Sequence, residues 1–137
     1  MLFAFTAYEA KLLLDYRLGK AVDAGPVELF MGLHTASPTK SGSYASELVG
    51  GGYARQAIFA AMSAASPSTG TSTNVLTIQT AVATIDLGIV THISLSDHAS
   101  LTGATNMRYF GELDTAFIFN IGEAFRLVPG QFQIQYS

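Results

Sequence analysis

Apolar residues near the amino terminus follow the spacing of an α-helix. The residues that share one face of this helix are Ala10, Leu13, Leu14 and Leu18, with Leu12 at its flank. Thr6 and Glu9 form a capping-box pattern at its start, and Gly19 stands where a left-handed C-cap is expected. The sequence therefore predicts a weakly amphipathic helix over residues 7–18.

After Pro26 the apolar positions change to the period of two that is typical of β-strands. Leu29, Met31 and Leu33 alternate with other residue types, which predicts a strand over 27–34 with one buried face. The other predicted strands are 53–59, 75–79, 82–85, 89–95, 107–113, 117–120, 123–127 and 132–136. The predicted loops and turns are 35–52, 63–73, 97–105 and a hairpin-like turn at Ile121 and Gly122.

These segments predict the fold class and the domain organisation. About eight short strands at a spacing of roughly 8–12 residues are typical of a sandwich or a jelly roll. We therefore expect a mainly β chain: a β-sandwich or jelly-roll-like domain of antiparallel strands, preceded by one N-terminal α-helix. A length of 137 residues suits a single domain over 1–137. Within it, 1–20 hold an apolar segment and the helix, and 26–137 hold the β-sandwich.

Few charges and many apolar residues set this chain apart from an ordinary soluble domain. Charged residues make up 12% of it, the net charge is -3 and the mean hydropathy is +0.33, whereas a charged share of about 25% is usual. We therefore expect partner proteins to cover much of the surface. The scattered Lys and Arg residues argue against a nucleic-acid partner. No apolar run predicts a membrane span or a signal peptide, so we expect synthesis in a cytoplasm.

The candidates for catalytic or metal chemistry are weak. The chain has no cysteine, and its histidines are His34, His92 and His98. Their spacing matches no metal motif, and no Gly-x-Ser-x-Gly elbow is present. Glu112 and Asp114 share a strand parity and could lie side by side, but a solvated strand end is the favoured explanation of the two carboxylates. We expect no enzymatic activity, no metal and no cofactor.

Three large apolar side chains, Leu2, Phe3 and Phe5, precede the helix cap. Chain termini usually fray, so apolar groups at this position need a partner surface. Two alternatives stay open. These side chains either pack into the core of the domain or anchor a partner protein.

The block Gly-Gly-Tyr-Ala-Arg-Gln at 51–56, with Glu47 to Gly50 before it, resembles small β-rich virion proteins of tailed bacteriophages. Members of this family are often labelled tail fibre proteins, and similar small proteins serve as capsid decoration, or cement, proteins. The resemblance continues at 29–38, 90–93, 109–113 and 122–125. It departs at Ser96, where an aromatic residue is expected. It implies a virion structural role and transfers no catalytic residues.

The resemblance and the composition together predict a capsid decoration protein. It would bind and stabilise the shell of the major capsid protein, on the outer capsid surface, after synthesis in the host bacterial cytoplasm. Copies of the chain would form a symmetric homo-oligomer. The predicted partner-binding residues are Leu2, Phe3, Phe5, Tyr44, Tyr53 and Arg55.

Three other classes of function remain open. The first is a tail-associated or tail fibre protein involved in host attachment, in which exposed loop residues such as Tyr44 would stack on sugars. The second is an enzyme, such as a cell-wall hydrolase. The third is a free-standing cellular β-sandwich binding module.

Overall fold

A computed structural model describes residues 3–22, 25–100 and 105–135 of the chain. The helices are α1 (Ala7–Arg17) and a short 3₁₀ helix (Phe59–Ala61). The strands are β1 (Phe3–Phe5), β2 (Phe30–His34), β3 (Gln56–Ala57), β4 (Thr71–Thr73), β5 (Ile78–Gln79), β6 (Gly88–Ser96), β7 (Met107–Phe119), β8 (Arg126–Leu127) and β9 (Gln133–Gln135). The prediction of a mainly β chain with one N-terminal α-helix is confirmed. A short strand, β1, additionally precedes that helix.

The strands form antiparallel sheets. The largest sheet has five strands in the order β1-β7-β6-β2-β3, and β4-β9 and β5-β8 form two-stranded ribbons. The long strands β6 and β7 are the centre of the large sheet, and β2 pairs with β6 along all five of its residues. Among the described residues, no helix is long and apolar enough to cross a membrane.

One apolar core joins the large sheet to the ribbons. Its fully buried apolar side chains are Met31, Leu33, Ile58, Val90, Ile93, Leu95, Phe119 and Phe132. The Phe117 ring of β7 contacts two other rings edge to face, with centroids 5.5 Å from Phe119 and 5.3 Å from Phe125, the residue before β8. The core therefore depends on residues that are distant in sequence.

The helix begins and ends close to where the sequence predicts. Its contacts with the rest of the domain differ from the prediction. Thr6 Oγ1 accepts a hydrogen bond from the Glu9 N–H at 3.3 Å and donates one to the Met107 carbonyl at 2.6 Å. Gly19 follows the helix with φ of +67°, the left-handed conformation that glycine adopts most easily. Leu14 and Leu18 are 59% and 62% exposed, so the predicted apolar face is not packed on the core.

Strand β2 departs from the prediction of one buried face. Met31 and Leu33 face the core as predicted, but Gly32 and His34 on the other face are buried as well. Val27 is 97% exposed and lies before the strand begins. The second face of β2 is covered by polar side chains from the 35–52 loop and from β6, which the alternation pattern could not show.

Bulges change the parity of the central strands. The alternation over the predicted strand 89–95 places Ile89 on the same face as Ile93 and Leu95, but Ile89 is exposed and Val90 is buried. The register explains this, because Val90 pairs with Phe117 while His92 pairs with Glu112. Residues 113–116 of β7 therefore lie opposite the single residue 91 of β6. This bulge changes the face of the sheet to which the neighbouring side chains point.

Several short segments differ from their predictions. Only Gln56–Ala57 of the predicted strand 53–59 pairs, and 82–85 forms no strand, whereas the predicted loop 63–73 ends in β4. The turn at 121–122 is present, but it joins strands of different sheets, because β7 pairs with β6 and β8 pairs with β5. Parts of the predicted segments 97–105 and 132–136 lie outside the described residues.

Candidate interaction surfaces and their supporting network

A buried ion pair connects the 35–52 loop to the segment that enters β3. Arg55 Nε lies 2.7 Å from Glu47 Oε1, and Arg55 Nη2 lies 2.7 Å from Glu47 Oε2. The two side chains are only 2% and 5% exposed. A bidentate pair of this kind is geometrically specific. Arg55 Nη1 also donates to the His98 carbonyl at 2.9 Å, so this guanidinium fixes three separate chain segments.

The two tyrosines predicted as partner contacts belong to the same network. Tyr53 donates its O–H to Glu47 Oε1 at 2.9 Å and accepts the Leu33 N–H at 2.9 Å. Burial raises the pKa of Tyr53, and the neighbouring Glu47 carboxylate raises it further. The Arg55 guanidinium carbon lies 4.6 Å from the centroid of the Tyr44 ring. The block at 51–56 therefore organises the interior of the domain.

Ser96, the position where the chain departs from the resemblance, contacts Tyr44 inside the domain. It is fully buried, and its hydroxyl lies 2.8 Å from the Tyr44 hydroxyl. The Tyr44 ring is thus held between the Arg55 cation and a serine of β6. The guanidinium occupies one face of this ring, so a sugar could stack only on the opposite face.

His34 is a structural residue of the same network. Its Nδ1 lies 3.1 Å from Ser46 Oγ and its Nε2 lies 2.8 Å from Ser94 Oγ. Burial lowers the pKa of His34 to about 4, so the ring is neutral near pH 7. Gly32 is needed beside it, because a Cβ there would lie 2.7 Å from Ser94 Oγ and 3.0 Å from Glu47 Oε1. The sequence pattern gave no signal for this cluster.

A second buried network attaches α1 to the sheet. Arg108 Nη1 lies 2.8 Å from Glu9 Oε2, and Arg108 Nε lies 3.3 Å from Asp97 Oδ2. The Tyr109 hydroxyl donates to Glu9 Oε1 at 3.0 Å. Glu9 is the one buried residue of the helix. The sequence pattern assigned Glu9 to the capping box, but its carboxylate binds Arg108 and Tyr109 instead.

Phe3 and Phe5 lie on β1, where both are half-buried. The Phe3 ring contacts Phe132 edge to face with centroids 5.1 Å apart, and the Phe5 ring lies 5.6 Å from that of Tyr109. Of the two open alternatives, this geometry favours packing on the core, and it leaves part of each ring accessible. Leu2 lies outside the described residues.

Three of the candidate chemical groups are neighbours across the large sheet, because His92 pairs with both His34 and Glu112. Within the described ranges, no group of three His, Asp or Glu side chains could hold a metal ion. Glu112 pairs with His92 across the sheet, while Asp114 lies in the β7 bulge. The bulge and the segment 125–133 enclose an open cleft of about 590 Å³, and a shallower one of about 280 Å³ lies over Arg55.

Large apolar side chains are exposed at several places in the described part of the chain, and two groups of them are the helix surface and the isoleucine end. The helix surface consists of Leu14 and Leu18, which lie four residues apart on one face at the end of α1. The isoleucine end consists of Ile89, Ile118 and Ile121, beside the turn that follows β7. Ile89 and Ile118 are direct cross-strand partners, so their side chains adjoin on one face of the sheet.

Comparison with protein-family models gives a match over most of the chain. A family model described as podophage GP4 fiber I protein gp80 matches residues 4–135. No curated protein sequence matches the chain.

Proposed function

Because this chain belongs to the podophage GP4 fiber I protein gp80 family, we propose that it is a fibre subunit that works by binding other virion proteins. Family membership makes it a structural protein of a phage virion. The observation that carries the proposal is the extent of the match, which leaves out only residues 1–3 and 136–137. The family name favours the fibre over the capsid decoration that the resemblance and the composition together predict.

The surface of the chain supports a role in protein binding. Large apolar side chains are exposed on α1 and at the isoleucine end, and only 12% of the residues are charged. Buried Arg and Glu side chains are used in internal pairs that hold the loops in place. The proposal assigns this chain no catalytic activity, and a turnover assay on host envelope material would contradict it by showing hydrolysis.

The experiment is to locate the protein in intact particles. A short epitope at the carboxyl end of the chain, detected with a gold-labelled antibody, shows its position by electron microscopy. Label on fibres or tail supports the proposal. Label spread over the capsid faces, with a copy number similar to that of the major capsid protein, overturns the fibre role and favours capsid decoration. Absence from purified particles overturns both.

Capsid decoration is the second candidate function, and a separate argument supports it. A protein that binds only the assembled shell stabilises that shell by mass action, and exposed apolar surfaces with few charges suit docking on a large protein lattice. The partner would then be the major capsid protein. If particles that lack this chain burst at the same temperature as complete particles, the chain does not cement the shell.

A further inference from the structure

The two exposed apolar surfaces carry opposite charges. Arg17 and Lys20 are exposed at the carboxyl end of α1, and no described residue forms an ion pair with either. The neighbouring Lys11 and Asp15 neutralise each other at 2.6 Å. The helix surface is therefore apolar with a net positive rim.

The isoleucine end has a negative rim. Asp86 Oδ1 accepts the Ile121 N–H at 2.8 Å, and Glu123 Oε2 accepts the Asn120 N–H at 3.2 Å. Both carboxylates are exposed, and neither forms an ion pair within the described part of the chain. These bonds fix both carboxylates at the turn that contains Ile121. This surface therefore matches the helix surface, because both are apolar and their rims carry opposite charges.

The two surfaces lie at different places along β7. The helix begins where Thr6 bonds the Met107 carbonyl, at the start of the strand. Ile118 is one residue before the end of the same strand. Leu14 and Leu18 are 59% and 62% exposed while Ile89 and Ile118 are 52% and 58% exposed, so neither surface covers the other within one copy.

We infer that copies of this chain associate head to tail, with the helix surface of one copy docked on the isoleucine end of the next. A contact between two different surfaces is heterologous, and it generates a ring or a filament rather than a closed two-fold dimer. Burial of the apolar side chains drives the contact, and the opposite rims set its register and orientation. The inference is independent of the location of the protein in the virion, because it concerns contacts between copies alone.

The test uses the purified full chain and two surface variants. The helix variant carries Leu14→Ser and Leu18→Ser, and the isoleucine variant carries Ile89→Thr and Ile118→Thr. By sedimentation velocity, the wild type should grow in mass with concentration, whereas each variant alone stays monomeric. An equimolar mixture should form a 1:1 heterodimer, because each variant keeps the surface that the other has lost.

Several results would overturn head-to-tail association. They are a wild type that stays monomeric at all concentrations, folded variants that still associate, and a mixture of variants that stays monomeric. The matched control carries Val75→Thr and Leu76→Ser, since both side chains are similarly exposed, at 54% and 57%, but lie outside the two surfaces. It should sediment like the wild type, and its failure to assemble would contradict the assignment of the surfaces.

A second measurement covers the case in which a surface variant fails to fold, as circular dichroism would show. Asp86→Asn with Glu123→Gln keeps the acceptor oxygens of the turn but removes both charges. The association constant should fall several-fold at about 0.05 M salt and match the wild type at about 0.5 M, where screening removes the charge contribution. An unchanged constant at low salt would contradict the charge complementarity on which the inference rests.

Discussion

Glu47 Oε2 lies 2.7 Å from Arg55 Nη2, and Glu47 Oε1 accepts a second bond from Arg55 Nε, so these two side chains form a bidentate pair inside the domain. The pair joins the 35–52 loop to the residues that enter β3. Tyr53 shares the same carboxylate oxygen. The most specific motif of the family resemblance therefore serves the interior of the fold, and its role in partner binding stays a prediction.

Removing one member of this pair should strongly destabilise the domain. Arg55→Ala leaves the buried Glu47 carboxylate without its cation, which usually costs about 3–5 kcal/mol of unfolding free energy. Arg55→Lys should recover only part of this loss, because an ammonium cannot form both bonds. Urea titration measures the loss. The matched control is Lys11→Ala, which removes the exposed pair with Asp15 and should leave the urea midpoint unchanged.

The double variant Glu47→Gln with Arg55→Met sharpens this test. It removes both charges together, so it should lose less stability than the sum of the two single variants. Equal and additive losses would show that the pair is not coupled, and an Arg55→Ala variant as stable as the wild type would refute the structural role.

The attachment of α1 should depend on Glu9. Glu9→Gln keeps an acceptor for the Tyr109 hydroxyl but leaves Arg108 without its closest carboxylate, at a cost of about 1–3 kcal/mol. The helix has little apolar burial to compensate. Hydrogen exchange of the helix amides should therefore accelerate more than exchange in β6. The control is Asp15→Asn in the same helix, which should leave the exchange of the helix amides as it is.

Uniform loss of protection over α1 and β6 would contradict the separate attachment of the helix. It would mean that the Glu9 contact supports the whole domain rather than the helix alone.

Local patterns predicted the elements that depend on local physics. The helix, its Thr6 cap and the Gly19 termination follow from backbone hydrogen bonds within a few residues. The alternation at 29–33 identified the inward face of β2, because its core partners recur with the period of the strand. The resemblance at 51–56 identified the family, although Tyr53 and Arg55 of that block belong to the buried network.

The features that the sequence did not predict depend on contacts between segments that are distant along the chain. β4 is a strand only because Thr71 to Thr73 pair with residues 133–135, and nothing in the Ser- and Thr-rich sequence indicates that partner. The β7 bulge reverses the parity of Ile89, which a regular alternation cannot anticipate. Which carboxylate neutralises Arg108 is likewise decided by tertiary packing, since Glu9 lies 99 residues away.

The close approach of Gly51 to Ile85 should make this glycine harder to replace than other turn glycines. Gly51 has φ of +61°, and a Cβ added there would lie 2.6 Å from Ile85 Cγ1. Gly70 has φ of +66° with open space around it, so Gly70→Ala measures the backbone strain alone. Gly51→Ala should lose about 1–3 kcal/mol more than Gly70→Ala in urea titration, because of overpacking.

Ile85→Ala should relieve the clash and restore most of the additional loss in the Gly51→Ala background. Equal losses for the two glycine variants, or no recovery with Ile85→Ala, would show that the 50–52 loop adjusts without cost.

The buried imidazole of His34 should make the stability of the domain fall in mild acid. Its pKa is lowered by burial to about 4, while histidine in the unfolded chain titrates near 6.5. Between these values the unfolded chain binds more protons, so the free energy of unfolding falls as the pH drops from about 6.5 to about 4, by up to about 3 kcal/mol. Below about pH 4 this contribution levels off.

Urea titrations across that pH range measure the slope, and the His34→Gln variant isolates the part that His34 contributes. Glutamine retains a donor and an acceptor for Ser46 and Ser94, but it does not titrate, so the variant should show a smaller slope between about pH 4 and 6.5. The exposed His98 provides the control, because His98→Gln should keep the slope of the wild type. A His34→Gln variant whose slope equals that of the wild type would show that His34 stays accessible to protons in the folded domain.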